Sequence, residues 1–310
     1  MKIKKDETYK LRLYTESKLR DNHTLTGPVD FSFEGKDLIH AIVTMGMLPC
    51  QDPDAFAKKR KLEIEFKTKI LECVLKTDDK GYLIINEDQH KYFDASEKTA
   101  IHYWIGMFFA TLLAQKQHTF EYVIHFARLK GTPIVSPQNI SYSPDLVAIK
   151  GCFGRKKEFG IFEAKGRLHY SNSAMEYAYD QASAISLISS CIPQKWVSFT
   201  CLNYMNKNEI GLIQKDPEAN NKRTEVDLKI GAALFLQYEP IVELMDELNC
   251  SVNKSRKCET EYGYSIAISE KFYQYIKKGK QIIETVGFND DAFTEINKYM
   301  LDCPPDLEII

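Results

Sequence analysis

Residues 143–165 read SPDLVAIKGCFGRKKEFGIFEAK. A Pro-Asp pair, Pro144–Asp145, opens one apolar run, Leu146 to Ile149, and a second run, Phe159 to Ala164, leads into Lys165. Both runs suit strands, and the loop from Gly151 to Lys157 between them predicts a hairpin. If Ile149 pairs with Phe159, antiparallel register sets Asp145 opposite Glu163, on one face and at cross-strand contact distance. Alternation puts Lys165 on the same side as Glu163 and turns Ala164 the other way. Two carboxylates that close repel one another and favour a hard cation between them. The Ala164 carbonyl offers a third oxygen, and Lys165 falls beside it.

Working outward, Ser96 to Gln117 predicts a helix, with Ser96 as its cap and Ile101, Ile105, Phe108, Phe109, Leu112 and Leu113 recurring at helical spacing. Glu121 to Ala127 suits either a strand or a continuation of that helix. Gly131, Pro133 and Pro137 then break the chain into turns. Beyond the hairpin, Ser173 to Ser190 predicts a second helix, opened by a capping box between Ser173 and Glu176. Its apolar stripe of Ala174, Tyr177, Ala178, Ala184, Ile185 and Ile188 places Gln181 in its middle, where an amide needs a partner. Trp196 to Leu202 and Ile210 to Gln214 predict two more strands. The order helix, two strands, helix, two strands gives an α/β sandwich with a mixed sheet.

The flanks say less. Leu38 to Leu48 predicts a short buried helix ended by Pro49 or Pro53, and Ala57 to Lys76 is charged and amphipathic. Residues 1–95 read as an accessory region, 96–215 as the core and 216–310 as a mostly helical region, with the polar stretch Asp216 to Lys222 at the second boundary. The closing DCPPDLEII reads as a tail that packs or frays. The formal net charge of the 310 residues is −2, so any nucleic-acid contact rests on local basic patches. The chain has no apolar run of membrane-spanning length and no secretory signal, which predicts a cytoplasmic protein with no membrane partner. Its 8 cysteines form no CxxC pair and read as reduced. No phosphate-cradling glycine loop and no GxSxG are present, which disfavours a nucleotide motor or a serine hydrolase.

Pro144–Asp145, then Glu163-Ala164-Lys165, then a glutamine in the next helix resembles the PD-(D/E)xK restriction-endonuclease-like superfamily. The resemblance covers about Ser96 to Gln214. It implies an αβββαβ core and a metal-dependent nuclease that hydrolyses DNA phosphodiesters with Mg²⁺ or Mn²⁺. Asp145, Glu163 and the Ala164 carbonyl would bind the metal; Lys165 would position or activate the attacking water and stabilise charge at the phosphate, and Gln181 would orient the lysine or the metal-bound water. Many members add a glutamate on the first helix, for which Glu97 is the nearest candidate, and some use a histidine there, for which His102 is offered. By analogy the chain would serve in restriction or antiphage defence, targeted by its flanks or by a partner subunit such as a helicase or ATPase, and a homodimer would cut two strands. An RNase or DNA-repair nuclease on the same fold is a second reading. A catalytically inactive nucleic-acid-binding or assembly subunit is a third.

From Lys150 to Tyr170 there are six Lys or Arg (150, 155, 156, 157, 165, 167) and two Glu (158, 163), a local charge of +4. Arg155, Lys156, Lys157 and Arg167 suit a phosphate backbone, although a solvated hairpin tip reads equally well. Asp145 after a proline also suits a turn, and Glu163 with Lys165 also suits an exposed ion pair. The apolar Ile161, Phe162 and Ala164 around them argue for burial, which charges tolerate only with a reason. His118 and His125 read as core or surface histidines. Tyr103, Trp104, Phe108 and Phe109 read as core rather than as a base-stacking platform.

Overall fold

The computed structural model describes all residues except 20–21, 46–52, 139, 141–142, 152–155, 205–208, 218–223, 248–250, 253–254, 260–263 and 303–304. The chain opens with a long hairpin, β1 (Thr8–Leu19) and β2 (Asn22–Glu34), followed by α1 (Gly35–Thr44) and α2 (Pro53–Val74). Then come β3 (Leu75–Thr77), β4 (Leu83–Ile85), the single-turn α3 (Glu87–His90) and α4 (Ala95–Leu112). The central strands are β5 (Tyr122–His125), the two-residue β6 (Val135–Ser136), β7 (Leu146–Lys150) and β8 (Glu158–Arg167). They are followed by α5 (Asn172–Ser183), β9 (Ile185–Ile188), β10 (Gln194–Tyr204), β11 (Glu209–Lys215) and β12 (Thr224–Leu228). The chain finishes with α6 (Ile230–Glu247), β13 (Ser251–Val252), β14 (Ser255–Glu259), β15 (Ser265–Ser269), α7 (Glu270–Val286), α8 (Asp290–Met300) and β16 (Glu308–Ile309).

The main sheet has nine strands in the order β2-β1-β11-β10-β8-β7-β5, with β4 joined to β11 and β3 to β4. β5, β7 and β8 form an antiparallel meander, α5 crosses over, and β10 returns parallel to β8. This is a mixed α/β fold with a mixed sheet, as the chain's pattern predicts. Smaller sheets are β6-β12-β9 and β13-β14-β15-β16. Among the described residues no helix is long and apolar enough to cross a membrane, and Cys73, Cys191 and Cys201 are free thiols.

Several local features differ from expectation. The first residues are a regular hairpin because Tyr9, Leu11 and Leu13 alternate inward, and β1 pairs in parallel with β11 from Arg12↔Gly211 to Glu16↔Lys215. The sheet therefore runs across the boundary expected at residue 95. The cap of α4 is Asp94, not Ser96: its carboxylate accepts the N–H groups of both Ser96 and Glu97. Glu121–Ala127 resolves as strand β5 and a 3-10 turn over Phe126–Arg128. The helix expected to run to Ser190 ends at Ser183, and Ile185–Ile188 is strand β9. Its cap is Ser171, whose hydroxyl accepts the Ala174 N–H at 3.3 Å. The closing residues add β16 to β15. Residues 46–48 of the first expected helix, 152–155 of the hairpin loop and 218–222 of the polar break lie outside the described residues.

Two close approaches fix the layers. A Cβ on Gly166 would lie 1.7 Å from the His102 carbonyl oxygen, and one on Gly106 would lie 2.7 Å from the Gly166 nitrogen. Only glycines at both positions let α4 settle on β8. Gly166 faces α4 while Lys165, one residue back, reaches Gln181 of α5, so the two helices cover opposite faces of the sheet.

The C-terminal helices are anchored to the strand that borders the acids. Pro240 lies inside α6 and has no N–H to give the carbonyl four residues back, that of Leu236. The buried Arg128 guanidinium, just after β5, donates to that carbonyl and to Gln237 Oε1. A broken helical hydrogen bond is thereby replaced by one between elements.

Candidate active site

The hairpin has the expected register, Leu146↔Phe162 through Ile149↔Phe159 to Lys150↔Glu158. At its open end the main-chain ladder stops and the two acids take over its donors. The Asp145 N–H donates to Glu163 Oε2 at 3.1 Å, and the Ala164 N–H donates to Asp145 Oδ2 at 2.9 Å. The next position along, Pro144, has no N–H for the Ala164 carbonyl. A strand residue's N–H and C=O point to the same edge, so that carbonyl faces the gap holding Asp145. The Pro-Asp pair thus ends the ladder and leaves two carboxylates and a carbonyl together.

Glu163 is 0% exposed, while Asp145 keeps a solvent-reachable edge. Lys165 Nζ is ion-paired with Glu163 Oε1 and donates to Gln181 Oε1 at 3.0 Å. Burial first, and then the Asp145 charge, push the Glu163 carboxyl up to about 8, against the pull of Lys165. Burial also raises the Asp145 carboxyl, with Lys165 and the Ala164 N–H opposing. Two acids and one ammonium leave the cluster one positive charge short when both acids are ionised.

That deficit is the test of fit for a metal. Two carboxylates and a carbonyl are hard oxygen donors, suited to Mg²⁺ or Mn²⁺. Among the described residues no group of three or more His, Cys, Asp or Glu side chains gathers to hold an ion. An ion here therefore depends on the main-chain oxygen and solvent beside the two acids, as Mg²⁺ commonly does.

The remaining sequence candidates are placed as follows. Gln181 does not lie in the middle of a buried stripe. The buried face of α5 is Met175, Ala178 and Ala182; Gln181 sits at its border, and the lysine is its partner. Glu97 turns back to the start of its own helix, where it accepts the Asp94 N–H at 2.8 Å. His102 stacks on His90, with Nε2 to Nε2 at 2.9 Å and the rings at 15°. Arg167 is exposed two residues beyond Lys165. Lys156 and Lys157 are exposed at the closed end of the hairpin, seven and six residues before Glu163 and so about 20–23 Å away. Arg155 lies outside the described residues. The structure gathers Asp145, Glu163, Lys165 and Gln181, and sets the basic loop apart from them.

Two neighbours differ from their expected places, since Tyr103, expected in the core, and Tyr177, expected on the apolar stripe of α5, are both exposed. Tyr103 of α4 comes near enough to Asp145 and Glu163 that their charges, with burial the larger cause, raise its phenol. Its hydroxyl bonds to His125 Nε2 at 3.2 Å. His125 is held neutral, its imidazole lowered to about 4 by burial and then by Arg128 and Lys67. Tyr177 of α5 carries the Lys165 ammonium 5.8 Å from its ring centre. Tyr103 and Tyr177 fall outside the polar motif, and Tyr103 sits beside core aromatics in the sequence, which hides it. His118 is a packing residue, its ring tilted against Trp196 at 4.4 Å and bonded to Gln214. No family model, no curated protein and no solved structure matches the chain.

Proposed function

We propose that the chain is a metal-dependent nuclease that hydrolyses DNA phosphodiester bonds. The observation that carries this reading is the convergence of Asp145, Glu163, Lys165 and Gln181 at the open end of one hairpin. The order of α4, the meander β5-β7-β8, α5 and the parallel β10 supports it, since αβββαβ is the core that the PD-(D/E)xK resemblance implies.

Asp145, Glu163 and the Ala164 carbonyl would hold Mg²⁺ or Mn²⁺. The ion supplies charge neutralisation at the phosphoryl oxygen and hydroxide near neutral pH. The chain's own groups do the rest. Gln181 holds the Lys165 ammonium in place, and the ammonium lies where charge develops on the phosphate. Arg167 meets the phosphate backbone beside the cut, and Lys156 and Lys157 meet it farther along. A role in restriction or antiphage defence, with a partner ATPase or helicase, belongs to this proposal by analogy.

The test is nicking of supercoiled plasmid with Mg²⁺. Glu163→Ala and Lys165→Ala should each abolish nicking at unchanged circular dichroism. Undiminished nicking by either purified variant refutes the mechanism.

A further inference from the structure

We infer that the strand cut at this site is unpaired there, and that its bases stack on an aromatic ledge beside the acids. The inference rests on the nuclease reading and names its substrate class.

Five aromatic rings are among the strongly exposed large side chains described: Phe66, Tyr92, Tyr103, Tyr177 and Phe288. Phe288 packs edge-on against Phe293, and Tyr92 lies under Lys91. Of the other three, Tyr103 and Tyr177 border the acidic cluster, and Phe66 stands on α2 against Trp104, the residue after Tyr103. Tyr103, 40% exposed, has its hydroxyl fixed by His125 and stands within electrostatic reach of Asp145 and Glu163. Its neighbour Trp104 meets Phe66 of α2 edge-on at 5.2 Å and 83°. Phe66 is 53% exposed, and the next residue, Lys67, acts on the same His125 that Tyr103 bonds, which sets α2 on the Tyr103 side of the site. Tyr177, 55% exposed, stands on the opposite helix beside Lys165.

Exposed rings gathered beside a charged site mark a contact surface, and the flat face of a ring suits a flat partner. In a duplex the faces of the bases are stacked on one another and closed to a protein. In a single strand they are open, and aromatic side chains bind them with little regard to sequence. A phosphate held at the acids, with Lys165 and Arg167 to complement its charge, places one flanking base towards Tyr103 and Phe66 and the other towards Tyr177. The tether between Tyr103 and His125 keeps the first ring from folding inward. Single-stranded DNA and single-stranded RNA share this chemistry, and both enter the test.

The experiment measures fluorescence anisotropy of labelled single-stranded DNA, single-stranded RNA and duplex DNA in Ca²⁺, with cleavage of the same oligonucleotides followed in Mg²⁺. Wild type should bind one of the single strands about tenfold or more tighter than the duplex. Phe66→Ala and Tyr177→Ala should each lower single-strand affinity roughly fivefold or more and leave duplex affinity unchanged. Tyr103→Phe, which keeps the ring but loses its tether to His125, should bind single strands more weakly than wild type and more tightly than Tyr103→Ala. Phe66→Leu keeps apolar bulk without a flat ring and controls for folding; it should lose affinity as the alanine variant does. Equal or tighter duplex binding, no binding of any oligonucleotide, or single-strand affinity indifferent to Phe66→Ala and Tyr177→Ala overturns the inference. Duplex cleavage that needs Glu163, with duplex binding preferred, removes the ledge and leaves the nuclease standing. Ring-dependent single-strand binding with no cleavage keeps the ledge and removes the nuclease.

Discussion

Replacing Glu163 by glutamine should make the metal-free protein more stable at high pH. The carboxyl ordinarily titrates at 4.5 and in the fold is pushed up to about 8. The native state therefore holds this proton more tightly than the unfolded chain, and stability falls as pH rises from 4.5 towards 8. The gap is 8 − 4.5 = 3.5 units, worth about 5 kcal/mol at roughly 1.36 kcal/mol per unit. An unfolding entropy of about 2.1 cal/mol/K per residue over 310 residues gives about 0.65 kcal/mol/K, so this converts to a Tm shift of about 8 °C. The assay is thermal unfolding of wild type and Glu163→Gln in chelator, in steps from pH 5 to 9. The two curves should run close together at pH 5 and part by several degrees at pH 9, with the variant higher. Added Mg²⁺ should raise the wild-type Tm at pH 9 and release protons on binding near neutrality. A Tm difference that stays flat across the range refutes the reasoning, because it would mean that the buried acid titrates normally.

Other substitutions probe the framework. Gly166→Ala should lose several kcal/mol or fail to fold, because its Cβ would overlap the His102 carbonyl; soluble yield and Tm report it. Arg128→Met should cost about 2–4 kcal/mol in chemical denaturation, since it strips the Leu236 carbonyl of its donor and leaves the raised Glu239 acid with Lys280 but without its larger cationic neighbour. Glu97→Ala should cost up to about 1 kcal/mol through the lost return bond of the capping box and leave Mg²⁺-dependent nicking unchanged; a nicking defect at unchanged Tm would place Glu97 at the acids instead.

The hairpin at 146–167 was readable because its register follows from two apolar runs and one loop, and Asp145 opposite Glu163 follows from register alone. The helix caps were misplaced by two residues each, at Asp94 for Ser96 and Ser171 for Ser173. Ser and Asp cluster at both starts, and only the hydrogen bond formed decides among them. β1 and β2 were missed although Tyr9, Leu11 and Leu13 alternate with Lys10 and Arg12. The signal was local, but the partner that makes it a sheet strand lies near residue 211. Gln181 is legible as an amide in need of a partner, but its place at the border of the buried face and its bond to Lys165 are not, since both depend on how α5 sits on the sheet. Tyr103 reads as core and Tyr177 as part of an apolar stripe, and both are exposed, because exposure of an aromatic ring is a tertiary property.

The parallel pairing of β1 with β11 also sets a timetable. Arg12 meets Gly211, 211 − 12 = 199 residues later in the chain. At about 5–20 residues per second of synthesis, the N-terminal hairpin spends roughly 10–40 s with one backbone edge unsatisfied. Such an edge recruits strands from other nascent chains. Expression at lower temperature, or with a ribosome-associated holdase, should therefore raise the yield of this protein, and truncations that stop before residue 209 should accumulate as aggregates.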